Sequence, residues 1–303
     1  AFLMANMIAP VYPMYVRDAN GKIKVDPISG YRIYDYGNGK ETASSRNWMS
    51  ISNPIGGLLY NTEEYLMDIM NSKWFAELSP VKGLKLTASL GTYIDNTRYH
   101  SVGNAKYGQS ASYHGTAVQD YNRTFAMNQQ YLATYNKTYG KSTFDVLAGY
   151  EAYDLRGENF YATGQNLYKE GDYTVNNTID QKRGGGSAYE YSTRGILARA
   201  NYNYDEKYFV SASYRRDASS RFHPDHRWGN FWSLGGAWLM NSEPWFNAPW
   251  VNMLKVKASY GSQGNDNIGN YRYTDTYTVK NLEGQIATTF STKGNENITW
   301  ETN

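Results

Sequence analysis

The segment His223-Pro224-Asp225-His226 concentrates residue types that can bind a metal ion, because two imidazoles and a carboxylate are common ligands of zinc and related cations. The rest of the chain argues against such a site. It contains four histidines and no cysteine, and Pro224 prevents the regular helix that would aim the two imidazoles at one point. We therefore predict no metal centre and no bound cofactor.

Patterns that would indicate catalysis are also incomplete. The stretch Gly184-Gly185-Gly186-Ser187 has the composition of a phosphate-cradling loop, but no buried strand precedes it and no helical pattern follows, so we predict a flexible loop tip. No G-x-S-x-G pattern of a hydrolase occurs. Asp145 and Glu151 share one face of a strand, which fits the polar wall of a lumen as well as it fits a glycosidase. We predict no catalytic residues and conclude that the chain is not an enzyme.

Two further groups of residues could contact a substrate or a partner. Exposed tyrosines in long connections can stack on sugar rings, but they can equally pack on each other or on a covering protein, and the sequence leaves both roles open. A charge cluster of mixed sign surrounds one connection, and we favour ion pairs that pin this loop over substrate contact. The tyrosines are Tyr107, Tyr113, Tyr161, Tyr168 and Tyr173, and the charge cluster is Arg215, Arg216, Asp217, Arg221 and Arg227.

The composition limits the elements that can position these residues. With 41% hydrophobic residues and a mean hydropathy of -0.69, the chain has no run of about eighteen apolar residues, so membrane helices are excluded. Aromatic residues make up 16% and there are 28 glycines, which favours β-structure. A net charge of +2 lacks the strong positive charge that is typical of a nucleic-acid-binding protein. The first residues lack a basic region and are interrupted by Pro10 and Pro13, so we expect no signal peptide among them.

Hydrophobic alternation with period two is the strongest signal in the chain, and it predicts strands with one apolar and one polar face. In one segment Leu254, Val256 and Ala258 alternate with Lys255 and Lys257. Residues 60–80 lack this alternation, and we predict a short amphipathic helix or turn there that ends before Pro80. The predicted strands are 84–90, 121–135, 143–152, 196–204, 208–215, 230–240 and 254–260.

Short and long connections alternate along the chain. The short ones lie at 136–141, 204–207 and 241–253, and the long ones at 95–120, 156–190, 215–229 and 262–297. This alternation predicts an all-β, antiparallel, up-and-down transmembrane barrel in which short turns face the periplasm and long loops face outside.

A soluble β-sandwich or propeller is the alternative fold. A propeller would show a repeat of about 40–50 residues, which is absent. Against a sandwich, aromatic residues gather at the strand ends, as the girdles of a lipid-facing band require. Examples are Tyr135, Tyr204, Tyr208, Tyr214, Trp238 and Tyr260.

The last third of the chain carries an ordered series of motifs that resembles the SusC/RagA family of TonB-dependent outer-membrane transporters. Residues 1–200 fit this family only in style, with Pro80-Val81-Lys82-Gly83-Leu84 as a looser match. The motifs are Tyr204-Asp205-Glu206-Lys207-Tyr208, Arg215-Arg216-Asp217-Ala218-Ser219-Ser220-Arg221-Phe222, Arg227-Trp228-Gly229, Glu243-Pro244-Trp245-Phe246, Leu254-Lys255-Val256-Lys257-Ala258-Ser259-Tyr260-Gly261, Gly264-Asn265 with Ile268 and Tyr271, and Asn295-Glu296-Asn297-Ile298-Thr299-Trp300-Glu301.

The resemblance implies a 22-stranded barrel with an N-terminal plug in the outer membrane of bacteria of the Bacteroidetes type. It also implies a SusD-like surface lipoprotein as a lid, import of glycan fragments or peptides, and energy from the TonB complex, which acts through the plug. Seven or eight strands cannot close such a barrel, so we expect residues 1–303 to be part of its wall, with the plug domain outside this chain. The alternative function is that of a passive porin or a structural outer-membrane barrel.

Overall fold

The fold is known from a computed structural model that describes residues 2–8, 10–27, 30–37, 46–49 and 52–303. Long β-strands dominate it. Short 3-10 helices lie at Gln109–Tyr113, Val175–Asn177 and Met240–Ser242. The strands are β1 Thr62–Val81, β2 Leu84–Gly103, β3 Thr116–Tyr139, β4 Ser142–Leu167, β5 Thr178–Tyr204, β6 Tyr208–Ser219, β7 Trp228–Leu239, β8 Lys255–Ser262, β9 Gly264–Asn265, β10 Thr276–Leu282, β11 Gln285–Thr292 and β12 Glu301–Thr302.

Strands β1 to β8 form one sheet in which neighbours in sequence are neighbours in space. Strand β5 pairs with β6, β6 with β7 and β7 with β8, each in antiparallel register. At one end of the sheet, two or three residues join β1 to β2, β3 to β4 and β5 to β6, for instance Gly140-Lys141 and Asp205-Glu206-Lys207. Asp205 and Glu206 both have positive φ values, 54° and 55°, as a tight right-twisting hairpin requires. The prediction of an antiparallel up-and-down arrangement is confirmed.

All seven strands predicted from alternation are present, as β2 to β8. The helix or turn predicted within 60–80 is wrong, because residues Thr62–Val81 form strand β1. Apolar side chains occupy both faces of this strand, with Met67 and Ile69 on one and Leu66 and Met70 on the other. Apolar residues on two faces hide the period of two and mimic helical spacing.

The predicted long loops are too long, because the strands continue into them. The loops between β2 and β3, β4 and β5, and β6 and β7 span only 104–115, 168–177 and 220–227. The predicted loop tip at Gly184 to Ser187 is also wrong, since these residues lie within β5. A Cβ atom on Gly185 would lie 3.0 Å from the ring of Tyr161 on β4, so glycine here admits a neighbouring aromatic ring. Hydrophobic alternation fades in these extensions while the strands continue.

The chain divides into two compact units. One comprises Ala1–Asp68, Asp95–Arg123 and Glu158–Ala188, and the other comprises Ile69–Ile94, Thr124–Gly157 and Tyr189–Asn303. In the first unit the buried residues include Val16, Tyr34, Tyr36, Val102 and Ala117. In the second unit they include Ala126, Ala152, Ala218, Phe222 and Phe231.

Two short α-helices belong to the first unit, α1 at Phe2–Met7 and α2 at Pro54–Tyr60. The side chain of Asn53 caps α2 by accepting hydrogen bonds from the backbone N–H groups of Ile55 and Gly56. No helix in the described part of the chain is long and apolar enough to cross a membrane.

Candidate functional site

One face of strands β5 to β8 is apolar and uncovered. Cross-strand register aligns Ala200 with Ala212 and Leu234, and Trp238 with Val256. These side chains bury little surface in the protein, and Val256 remains 53% exposed. Aromatic residues mark both ends of the band. Tyr204, Tyr208 and Trp238 lie at the end with short turns, and Tyr214, Trp232 and Tyr260 lie toward the other. A broad exposed apolar band of this kind indicates contact with a nonaqueous surrounding.

The opposite face of the same strands is polar. Here Asn201 donates a hydrogen bond to Asp145 at 3.1 Å, and the hydroxyls of Ser213 and Ser233 are 2.7 Å apart. A depression of about 550 Å³ lies on this face. Its lining includes Asp145, Ser211, Gly235, Lys257 and Ser259. Lys255 and Lys257 therefore share the polar face, as predicted, while Val256 and Ala258 share the apolar one.

A junction at the turn end ties β6 and β7 to the segment after β7. Glu243 accepts hydrogen bonds from the hydroxyl of Tyr208 at 2.5 Å and from the indole of Trp238 at 3.0 Å. Lys207 lies 3.8 Å from Glu243 and 3.7 Å from Asp205. The hydrogen bond from Tyr208, with that from Trp238, holds the pKa of Glu243 below its usual range. We call Asp205, Lys207, Tyr208, Trp238 and Glu243 the turn-end junction.

Charge pairing links this junction to the neighbouring hairpin. The ammonium group of Lys141 donates a hydrogen bond to Asp205 at 2.9 Å. This bond lowers the pKa of the Asp205 carboxyl and raises the pKa of Lys141. The ion pair between Lys141 and Asp205 thus joins the turn between β3 and β4 to the turn between β5 and β6.

A second junction lies at the opposite ends of these strands. Asp266 accepts hydrogen bonds from the hydroxyls of Tyr191 and Ser219, each at 2.7 Å. Arg221 donates to the backbone carbonyl of Asp266 at 3.0 Å, and its guanidinium lies over the ring of Tyr191. Ser219 is 1% exposed, so the carboxylate of Asp266 meets groups held away from water.

Aromatic packing completes this second junction. The ring of Trp300 packs on Phe222 at 5.4 Å and on Phe231 at 5.2 Å, and its indole N–H donates to the carbonyl of Arg227. Phe222 is fully buried. A Cβ atom on Gly229 would come within 2.9 Å of the Trp300 ring, which accounts for glycine there. We call Tyr191, Ser219, Arg221, Phe222, Phe231, Asp266 and Trp300 the loop-end junction.

The five residues of the predicted charge cluster do not form one cluster. Arg215 lies on the polar face and pairs with Glu151 and Asp217, each at 2.7 Å. Arg216 projects to the other face and lies over the ring of Trp228. Arg221 joins the loop-end junction, whereas Arg227 enters it through its backbone carbonyl. Internal pairing is thus seen for Arg215 with Asp217, while the other arginines contact separate elements.

The five predicted contact tyrosines occupy different environments. Tyr107 stacks between Tyr60 at 5.1 Å and Tyr36 at 6.0 Å. Tyr161 lies in strand β4 and is exposed. Tyr113, Tyr168 and Tyr173 lie outside the strands with exposed rings, and Tyr168 is 83% exposed. Tyr107 is therefore a packing residue, and the three loop tyrosines remain accessible for contact with a ligand or partner.

The histidine pair does not assemble a larger ligand set. His223 lies 3.5 Å from Asp225, and the rings of His223 and His226 are 6.4 Å apart. Among the residues that the structure describes, no group of three or more His, Asp or Glu side chains is arranged to hold a metal ion.

Reasoning from single residues missed Tyr191 and Asp266, which are 75 positions apart and meet only in the folded chain. Some signal was available, because Gly264-Asn265 and Thr299-Trp300-Glu301 belong to the motif series. Glu301, the last residue of the second motif, begins strand β12, which pairs with β9 at Gly264 and Asn265. The motifs thus mark segments that converge in space at the loop-end junction.

Comparison with known proteins adds independent information. No family model matches the sequence. TonB-dependent receptor P3 of Formosa agariphila is 27% identical over 270 residues, which are 83% of this chain and 26% of that protein. TonB-dependent receptor SusC of Bacteroides thetaiotaomicron is 31% identical over 240 residues, which are 72% of this chain and 22% of that protein. The chain therefore spans about a quarter of the length of these relatives.

Solved structures share the fold. The structure of the RagAB peptide transporter superposes with a TM-score of 0.78 at 24% identity, covering 94% of this chain and 31% of that one. The RagAB peptide importer in its open-open state gives 0.77 at 24% identity, covering 96% of this chain and 33% of that one. The chain thus shares its fold with about a third of each of these two proteins.

Proposed function

Because the chain belongs to the SusC/RagA family of TonB-dependent receptors, we propose that residues 1–303 form part of the transmembrane wall of a nutrient importer in the bacterial outer membrane. The whole protein would be a 22-stranded barrel, with the plug and the TonB-contacting segment in the remaining sequence. This division is consistent with the chain spanning about a quarter of its relatives.

The observation that carries the proposal is the two-faced wall of β5 to β8. An apolar face bounded by aromatic residues suits hydrocarbon with an interface on either side, whereas a polar face suits a water-filled or plugged lumen. A soluble β-sandwich would bury its apolar face against a second sheet. Here Val210 and Leu234 are half exposed on that face, which favours lipid contact.

We propose active import as the function, with no catalysis by this protein. The relatives are named TonB-dependent receptors, and the structurally similar RagAB is named a peptide importer. A passive porin or structural barrel is the competing function, and its wall would have the same two faces. An active importer and a passive porin therefore differ in whether uptake requires energy from TonB.

The proposed substrate is an oligosaccharide or a peptide, and a SusD-like lipoprotein would cover the loop end as a lid. The exposed rings of Tyr113, Tyr168 and Tyr173 support this, since tyrosine supplies apolar area together with a polar tip for sugar or peptide contacts. Connections that carry such rings exceed the two or three residues needed to join strands.

Uptake by cells that carry the full-length protein tests energy coupling. We expect uptake of the oligosaccharide or peptide to stop when the gene for TonB is deleted, while the protein still fractionates with the outer membrane. A tagged protein should co-purify with a surface lipoprotein from solubilised membranes. Undiminished uptake without TonB would show a porin, and repeated purification without a lipoprotein would remove the lid from the proposal.

Two tyrosine variants test substrate contact. Tyr168→Ala should weaken substrate binding and leave the folded yield unchanged, because its ring is free of the fold. Tyr107→Ala should instead lower stability, because its ring stacks on two others. Binding can be measured by isothermal titration with the purified transporter. Unchanged affinity in Tyr168→Ala would exclude this residue as a contact.

A further inference from the structure

The connection between β7 and β8 is unusual for the turn end of the sheet. Other connections there need only two or three residues, such as Lys82-Gly83 and Gly140-Lys141. This one spans residues 240–254, and its part from Pro244 to Leu254, PWFNAPWVNML, contains no charged residue. A connection much longer than a hairpin requires usually has a role besides joining two strands.

Large apolar side chains of this connection point away from the protein. Trp245 is 59% exposed, Trp250 is 84% exposed and Met253 is 71% exposed. Two tryptophans and a methionine at such exposure form an apolar surface that water solvates poorly.

This surface continues the apolar face of the sheet. The ring of Trp245 packs on Trp238 at 6.0 Å, and Trp238 is aligned with Val256 on that face. Trp245 also contacts Phe246 edge to face at 6.1 Å. The connection therefore lies beside the aromatic end of the apolar band.

The charges at its borders are paired or directed elsewhere. At its start, Glu243 accepts two hydrogen bonds and lies near Lys207. At its end, the ammonium group of Lys255 lies 4.2 Å from the centre of the Phe209 ring on the polar face. The exposed apolar surface thus carries no unpaired charge from either neighbour.

The backbone of the connection is organised by local hydrogen bonds. Phe246 donates to the carbonyl of Glu243 at 3.1 Å, and Val251 donates to that of Ala248 at 2.9 Å. At the base, Met240 donates to the carbonyl of Leu254 at 2.8 Å. These bonds reduce the cost of placing this backbone in a partly apolar environment.

We propose that residues 244–254 form an interfacial anchor that inserts Trp245, Trp250 and Met253 into the headgroup and upper acyl region of the membrane leaflet at the turn end. Tryptophan suits this depth because its ring is apolar and its N–H needs a polar partner. Lipid is the occupant that fits, since the surface is continuous with the face that meets hydrocarbon. The inference rests on the proposed barrel in the outer membrane.

Spin labels on the full-length protein in lipid vesicles test the anchor. Residues 1–303 contain no cysteine, so Trp250→Cys can be labelled once any cysteines elsewhere are replaced. Ala212→Cys in the apolar band and Glu206→Cys at the tip of a neighbouring turn provide the reference positions. Collision of the label with oxygen reports lipid, and collision with a water-soluble nickel chelate reports water.

The ratio of oxygen to chelate collisions at position 250 should be several-fold higher than at 206 and lower than at 212. A ratio at 250 equal to that at 206 would place this residue in water and overturn the anchor. Low collision rates with both reagents at 250 would show that protein covers it, which also overturns the anchor. A water-like ratio at 212 would instead contradict the proposed barrel itself, so the two failures are distinguishable.

Discussion

At the scale of residues, one carboxylate at each end of strands β5 to β8 accepts hydrogen bonds from neighbouring segments. Asp266 collects two hydroxyl donors and faces Arg221, while Glu243 collects a hydroxyl and an indole N–H beside Lys207. Hydrogen bonds to an ionised acceptor are stronger than those between neutral groups. Each junction therefore depends on one acidic side chain.

Replacement of Asp266 tests the loop-end junction. Asp266→Ala should lower the free energy of unfolding by about 2 kcal/mol, because two hydroxyls and a guanidinium lose a charged partner. Asp225→Ala is the control, since Asp225 is 81% exposed, and it should change stability by less than about 0.5 kcal/mol. Urea unfolding of the full-length protein measures both. Equal effects of the two substitutions would contradict the assigned role of Asp266.

Acid titration tests the turn-end junction. The pKa of Glu243 is lowered in the fold, so its contribution to stability is present above its unfolded pKa, about 4.3, and is lost as the pH falls through the folded value. Glu243→Gln should therefore show a weaker loss of stability on acidification than the wild type. Identical slopes for wild type and Glu243→Gln would refute the prediction.

Sequence patterns predicted which residues lie on the apolar and polar faces of the strands better than they predicted the residues of the turn-end and loop-end junctions. Lys257 and Val256 were assigned to opposite faces correctly because alternation along one strand is a local property. The contact of Tyr191 with Asp266 depends on how a loop folds back over 75 residues, and no local periodicity encodes it. The charge cluster was overestimated as a unit because Arg215 and Arg216, adjacent in sequence, point to opposite faces.

At the scale of elements, tight turns set the register of the strand pairs. Gly83 and Gly140 both occupy such turns with positive φ values, 90° and 55°. Their surroundings differ. A Cβ atom on Gly83 would collide with the backbone carbonyl oxygen of Asn136, whereas one on Gly140 would meet nothing within 4 Å.

Alanine at these two positions separates backbone strain from steric collision. Gly140→Ala should destabilise by about 1 kcal/mol, the usual cost of a left-handed conformation for a residue with a Cβ atom. Gly83→Ala should cost more, because it adds a collision with backbone that cannot rotate away. Urea unfolding midpoints of the two full-length variants give the comparison. Equal or reversed costs would show that the Gly83 turn can shift freely.

The errors at this scale have one physical origin. Strand β1 and the ends of β2 to β5 carry mixed side chains on both faces, so the period of two is weak although the strands continue. Alternation is strong only where one face must be apolar. Alternation therefore predicted the apolar band accurately, but the loops predicted from its absence begin too early, within the strands.

At the scale of the whole molecule, the two faces of the sheet explain why large apolar side chains of β5 to β8 remain exposed in this chain. Apolar side chains such as Ile196, Val210 and Leu234 are placed on an outer face, and polar side chains such as Asn201 and Ser211 are placed on the other. The proposed transport function requires this arrangement, because lipid covers one face and the lumen lies against the other.

Arginine on either side of one strand tests this account most directly. Ala212 and Ser211 are adjacent in β6, similar in size and on opposite faces, aligned with Ala200 and Asn201 respectively. In the full-length protein folded into lipid vesicles, Ala212→Arg should lower the free energy of unfolding by about 2–4 kcal/mol, because it places a charge in hydrocarbon. Ser211→Arg should remain close to the wild type, with the same heat-modifiable folded fraction on electrophoresis. Equal tolerance of both substitutions, or greater damage from Ser211→Arg, would contradict a lipid-facing wall.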